Sequence, residues 1–231
     1  MVISHKHRFI FLKTLKTAGT SIEVFLSGVC DERDVVTPIY PPVPPHAARN
    51  YQGLFNPLRG RSAREIASNC FDCVRLRKFY NHIRGYRVRD RLPPRLWDGY
   101  FKFCVERNPW DKTLSFFYML KNSDWHAHRN PDLSLDDYLG MGRFVLNYPI
   151  YTDRDGSRIV VDRVLRYEHL DQDLDAVFRL LGIAWRGSLN VRAKAGYRAG
   201  QQSYREVFTD AQAAIVGNAY AKEIELHGYS Y

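Results

Sequence analysis

Apolar and polar positions come in blocks whose periods change along the chain. Phe9-Ile10-Phe11-Leu12 is a short continuous apolar run, the pattern of a strand buried on both faces. It gives way to the small and polar Lys16-Thr17-Ala18-Gly19-Thr20-Ser21, and then to Ile22-Glu23-Val24-Phe25-Leu26, which has helical spacing. Residues 8–29 therefore predict a strand, a loop and a helix. The same order returns about ninety residues later. A strand is predicted over Tyr100-Phe101-Lys102-Phe103-Cys104-Val105, a turn at Arg107, and a helix opening near Pro109 or Trp110, with Leu114, Phe117, Met119 and Leu120 on its apolar face. Trp110 and Phe117 read as core residues of that helix.

Between these units the periodicity fails. Residues 30–62 hold Pro38, Pro41, Pro42, Pro44, Pro45 and Pro57, which rules out a central strand or a long helix and predicts an ordered surface loop. Helical patches follow at Ser62–Asn69 and Val74–Leu92, the second broken near Gly85. Leu133–Leu139 predicts a short helix capped by Ser134. Tyr148–Thr152 and Arg158–Leu165 flank Asp155-Gly156, a hairpin signal because that dipeptide accepts positive φ. A helix over Leu170–Leu181 ends at Gly182, residues 186–203 form a basic loop, and a last helix runs from Asp210 to Leu226 with a stop at Gly228. Strands alternating with helices predict an α/β fold: a central parallel sheet flanked by helices, in a single domain spanning 1–231.

A chain of 231 residues, 45% hydrophobic, can bury one sizeable core. No stretch approaches the ~20 apolar residues of a membrane span. His5, His7 and Arg8 precede only a four-residue apolar strand, so a signal-peptide h-region is missing and a soluble cytoplasmic protein is expected. Of the four cysteines, Cys70 and Cys73 have metal-like spacing, but no second such pair answers them; with Cys30 and Cys104 they read as reduced thiols, and no metal is expected. The net charge of +9 attracts polyanions. The basic residues are scattered, thickest from Arg75 to Arg95, without a recognised nucleic-acid motif. A multiply anionic small ligand accounts for much of the same charge, and nucleic acid is not favoured.

The two strand-to-helix turns carry the candidate chemistry. Each offers backbone N–H groups at a helix N-terminus, a cation and hydroxyls, which suits a ligand with phosphate-like groups at both ends. The first is not the nucleotide loop GxxxxGK[ST], because Lys16 precedes Gly19 instead of following it. That order argues against an ordinary ATP- or GTP-hydrolysing site.

Lys16-Thr-Ala-Gly-Thr-Ser21 after a strand, and Arg107-Asn-Pro-Trp-Asp-Lys112 with Ser115 eight residues beyond the arginine, resemble the sulfotransferases that use 3′-phosphoadenosine 5′-phosphosulfate (PAPS). The likeness is to their bacterial and carbohydrate-type branch. It extends in order through Asp34–Ile39, Phe79–His82, Tyr100–Phe103, Arg166–Leu170 and Tyr204–Tyr229. The resemblance implies a P-loop-like fold, PAPS as sulfuryl donor without a metal, and a hydroxyl-bearing acceptor, with the carbohydrate-branch likeness favouring a saccharide or glycolipid. It implies that Lys16 meets the 5′-phosphosulfate, with Thr17, Ala18, Gly19, Thr20 and Ser21 around it. It further implies that Arg107 and Ser115 hold the 3′-phosphate, and that Tyr167 lies near the adenine. Arg107 also has Glu106 and Asp111 as possible ion-pair partners.

Histidine can take the acceptor proton near neutral pH. Among eight histidines, His82 in Phe79-Tyr80-Asn81-His82 resembles the family's catalytic position; Gly85 stands where a small residue, often Ala, is usual. His46, in the proline-rich loop, is a rival base or an acceptor contact. Glu168 is either an alternative base or a partner for Arg166 or Lys16. Arg192, Lys194, Arg198 and Ser203 match in position a loop over the 3′-phosphate. Acceptor contacts are expected from 30–62, a possible acceptor-side insertion, and from 122–150; Tyr40, Tyr51, Trp97, Trp125 and Tyr148 either stack on sugars or merely pack. The other classes that the residues leave open are a nucleotide kinase or phosphotransferase, and a basic nucleic-acid-binding module.

Overall fold

The computed structural model describes residues 1–124, 126–189, 197 and 202–231. Its sheet is built from β1 (Val2–Ser4), β2 (Phe9–Phe11), β3 (Val35–Val36), β4 (Phe101–Glu106) and β5 (Arg163–Arg166), in the spatial order β3-β1-β2-β4-β5. β2, β4 and β5 run parallel, with Phe9 opposite Phe101 and Val105 opposite Leu165. β1 is antiparallel to both β2 and β3, so the sheet is mixed. This corrects the expectation of a parallel sheet. Strand β1 was not anticipated: only four residues separate it from β2, enough for a tight return and far too few for a helical crossover.

Period-two alternation explains why the strands are apolar throughout. Val2, Phe9, Phe11, Phe103, Val105 and Leu165 pack on one face, with Ile22 and Leu26 of helix α1 (Gly19–Val29) and Leu174, Val177 and Phe178 of α8 (Leu170–Leu180). Ile3, Ile10, Leu12 and Cys104 pack on the other. They meet Val88 of α3 (Gly85–Arg91), Trp97 of α4 (Pro94–Gly99), and Ile150 and Tyr151 of α7 (Tyr148–Tyr151). Both faces are dry, as the continuous apolar runs require. A third cluster joins α5 (Pro109–Asn122), α6 (Leu135–Gly140) and α10 (Asp210–Ala219) through Trp110, Phe117, Tyr138 and Val216.

Other differences have local causes. The predicted helix over 74–92 divides: α2 (Ala63–Val74) stops at Arg75 and the chain is irregular until α3, with Leu76 and His82 at positive φ. The 148–165 hairpin shrinks to one bridge, Thr152 to Ile159, because its first arm is the helical turn α7; Gly156 takes φ 78° in the turn. The C-terminal helix breaks at Tyr220 into α10 and α11 (Ala221–His227), after the short α9 (Tyr204–Val207). Leu170–Leu180, the Ser134 cap and the irregular 30–62 stretch are as expected, apart from β3 and a 3-10 turn at Pro57–Arg59. Among the described residues no helix is long and apolar enough to cross a membrane.

Candidate functional site

The carboxyl ends of the three neighbouring parallel strands each deliver one part of the site, where open α/β sheets generally place ligands. After β2 the chain makes a close turn into α1, with Lys16 at φ 62° and Ala18 at φ 57°. Residues in this left-handed conformation turn successive N–H groups toward a common concavity. No side chain caps α1, and its first turn holds no acidic residue. Its positive end thus stays suited to an anion. The turn folds back on the helix start, so a Cβ on Gly19 would lie 2.9 Å from Lys13 Cγ and 3.1 Å from the Thr14 carbonyl oxygen. Only glycine fits there.

The second part is Arg107, directly after β4. Its Nη1 donates to the Lys16 carbonyl at 3.0 Å, and its Nε and Nη2 donate to one Asp111 carboxylate oxygen at 2.8 and 2.7 Å. These bonds use three of the five guanidinium donors. The third part is Tyr167, after β5: the Arg107 guanidinium lies 4.0 Å over its ring. The structure therefore brings the main chain of Lys16, Arg107 and Tyr167 together, with Asp111 as the arginine's carboxylate partner. Ser115 lies one turn beyond Asp111 on the same face of α5 and is half-buried. Thr20 and Ser21 belong to the first turn of α1. The Thr17 side chain is directed inward: its hydroxyl is 2.8 Å from that of Thr14, which also bonds the Val105 carbonyl. Lys16 Nζ sits 5.9 Å from the centre of the Tyr197 ring.

His82 docks under the same turn. Its Nδ1 is 3.0 Å from the Lys13 carbonyl oxygen, which only accepts, so Nδ1 carries the proton and Nε2 the lone pair. Burial, then the charges of Lys13 and the Met1 α-amino group, lower its pKa to about 4. Beside it lies a buried ion cluster. Glu23 accepts from Lys13 Nζ at 2.6 Å, from the Met1 α-amino group and from the Thr37 hydroxyl at 2.7 Å. Burial alone would raise the Glu23 carboxyl; the Met1 and Lys13 charges outweigh it and hold the group below its ordinary value. His46 is lowered by burial, with Glu23 working against the shift, and its buried Nε2 has no hydrogen-bond partner.

A second buried network supports both turns. Asn147 accepts from the Leu15 N–H at 2.8 Å, donates to the Leu15 carbonyl at 3.0 Å and reaches Glu106 at 3.1 Å. Lys112 stands 2.8 Å from both Glu106 and Glu223. Tyr151 donates to Glu106 at 2.9 Å and meets His227 Nε2 at 2.8 Å. Burial and the neighbouring Glu106 push the Glu223 carboxyl up, against the pull of Lys112. Lys13, Glu23, Asn147, Lys112 and Glu223 were not singled out from sequence. The one available signal was a lysine directly after an apolar strand, at Lys13.

Glu168 accepts from the Asn108 N–H at 2.6 Å and so braces the start of α5, where sequence suggested Arg166 or Lys16 as its partner. Of the aromatic candidates, Trp97 is buried in the core against the sheet and Tyr148 is partly buried against the same core, so both pack. Tyr40 is exposed. Trp125, Arg192, Lys194 and Arg198 lie outside the described residues; Ser203 caps α9. Among the described residues, no group of three or more His, Cys, Asp or Glu side chains is gathered as for a metal ion.

Fold and site together define an α/β protein with a mixed five-stranded sheet, whose parallel strand ends carry the Lys16 turn, Arg107 and Tyr167. No family model matches the chain. It belongs to the same family as an uncharacterized protein of Archaeoglobus fulgidus, to which it is 32% identical over 126 residues, covering 98% of that protein and 53% of this chain.

Proposed function

We propose that this protein is a PAPS-dependent sulfotransferase acting on an acceptor hydroxyl, with a saccharide or glycolipid as the acceptor class. The observation that carries the reading is the convergence of three parallel strand ends, which sets the Lys16 turn, Arg107 and Tyr167 side by side through the 3.0 Å bond from Arg107 to the Lys16 carbonyl. The residues suit the donor's two anionic ends. Lys16 and the N–H groups at the start of α1 serve a phosphosulfate. The two remaining donors of Arg107, with Ser115, serve a terminal phosphate. The Tyr167 ring offers a flat apolar face for a base.

In the proposed reaction a bond forms between the acceptor oxygen and sulfur while the bond from sulfur to the bridging phosphate oxygen breaks. The acceptor proton passes to His82 Nε2, the lone-pair nitrogen. Charge developing on the leaving phosphate oxygen meets the Lys16 ammonium, an electrostatic stabilisation that needs no rearrangement in the step. Positioning supplies much of the rest.

Calorimetric titration with adenosine 3′,5′-bisphosphate (PAP) and with ADP, in metal-free buffer, tests the donor class. PAP is expected to bind at least tenfold more tightly than ADP. Arg107→Ala is expected to lose about 1.4 kcal/mol or more for PAP and little for ADP. Equal binding of the two nucleotides would remove the 3′-phosphate assignment. A requirement for Mg²⁺ with preference for ATP would favour a phosphotransferase, and salt-steep binding to DNA or RNA would favour a nucleic-acid module.

A further inference from the structure

Helix α2 is turned inside out. Its two fully buried positions are polar: Asp72 and Asn69 bind the guanidinium of Arg91 at 2.8 and 3.2 Å. Its outward positions, Arg64 apart, are small or apolar, Ala63, Ala67, Cys70, Phe71 and Val74, with Val74 86% exposed and Phe71 54%. The segment before it runs alongside. The Phe55 carbonyl accepts from Cys73 Sγ at 3.1 Å, and the Pro57 carbonyl accepts from Asn69 at 3.1 Å. The alternate residues Leu54 and Leu58 are left outward, 72% and 69% exposed. Helix and segment, bonded side by side, thus both leave apolar side chains outward. Exposed large apolar side chains grouped on neighbouring elements and rimmed by polar residues mark an interaction site.

Charge identifies what covers it. Arg59, Arg61, Arg64, Arg75 and Arg77 are exposed around this face. The acidic residues of the region are held elsewhere: Asp72 is buried against Arg91, and Glu65 is bonded to Arg154. Arg75 lies 4.0 Å over the Phe71 ring, an apolar tip with its cation beside it. A two-fold pairing of copies would set these arginines against one another. An anionic bilayer removes that conflict, because arginines reach the phosphates while Leu, Phe and Val tips enter the interface.

We propose that the outward face of α2 with the Leu54–Leu58 segment docks this protein on anionic phospholipid membranes. The inference is independent of sulfuryl transfer, and its test involves no nucleotide. The full chain is floated with vesicles of phosphatidylcholine alone and of phosphatidylcholine with phosphatidylglycerol. It is expected to float with the anionic vesicles only, and to detach as salt is raised. Leu58→Glu/Val74→Glu should lose at least tenfold in partitioning. Arg61→Ser/Arg64→Ser, at exposed positions without apolar change, should weaken it severalfold. Failure of the wild-type chain to float with anionic vesicles would overturn the proposal, as would undiminished flotation of both variants. Sedimentation velocity supplies the remaining arm: a wild-type dimer split by Leu58→Glu/Val74→Glu would make the face a contact between copies and overturn membrane docking.

Discussion

At His82, one bond and one environment set both protonation and role. The Lys13 carbonyl fixes the proton on Nδ1, and burial beside Lys13 and the Met1 α-amino group keeps the ring neutral. The linkage to stability has a definite sign. In the unfolded chain the ring takes up a proton near its ordinary value of ~6.5, whereas the native state resists until about 4. His82 therefore favours the folded state fully above pH ~6.5 and loses that contribution as pH falls toward 4, up to roughly 3 kcal/mol. In His82→Asn, whose amide can still donate to the Lys13 carbonyl, the decline in urea midpoint between pH 7 and pH 4.5 is expected to be shallower than in wild type. Equal slopes would place the titrating group elsewhere. Sulfuryl transfer, if the proposed chemistry holds, should fall at least a hundredfold in the same variant while PAP affinity stays within twofold.

At the scale of elements, the turn between β2 and α1 is held by a residue distant in sequence. Asn147, just before α7, bonds both main-chain groups of Leu15, across a separation of 132 residues. Asn147→Ala would leave those groups and a Glu106 oxygen without their partner, at a cost of about 2–3 kcal/mol. Asn147→Asp should be worse despite its shape, because it loses the donor and sets a second carboxylate beside Glu106. Chemical denaturation of the two variants tests this order, and a more stable Asn147→Asp would refute it. Helix α2 shows how tertiary context can reverse a helical pattern. The buried Arg91 guanidinium requires Asp72 and Asn69, and also binds the Arg77 and Lys78 carbonyls at 3.2 and 2.9 Å, so the polar side turns inward.

Across the whole molecule, one ion network joins the sheet to the C-terminal helices. Lys112 on α5 links Glu106 at the end of β4 to Glu223 on α11, all three side chains being buried. Removing the central cation leaves two carboxylates facing each other without compensation, which typically costs 3–5 kcal/mol for a broken buried pair. Lys112→Met is expected to lose about that much in urea unfolding. Lys112→Met/Glu223→Gln should recover part of the loss, because the second change removes the charge that burial already disfavours. Absence of recovery would mean that packing around Lys112, and not charge, sets the penalty.

The two strand-to-helix turns were legible in the residues because their signals are local: an apolar run, a small-residue turn and helical spacing within about twenty positions. The same holds for the helix stops at Gly182 and Gly228, which take φ 65° in each case. Short strands such as β1 and β3 carry too few residues for a period, and exist because neighbours complete their hydrogen bonds. The tyrosine-rich arm at Tyr148 became α7 because it serves the Asn147 and Glu223 contacts, not a hairpin. Local spacing thus specified which groups stand at each turn. The Arg107–Asp111 pair, four residues apart, is legible in the sequence, whereas folding alone decided that the two turns are neighbours and that α2 faces outward with its apolar side. Those outcomes depend on charges that must be compensated once buried, by partners such as Glu223, which lies 111 residues from Lys112, so no window along the chain contains them.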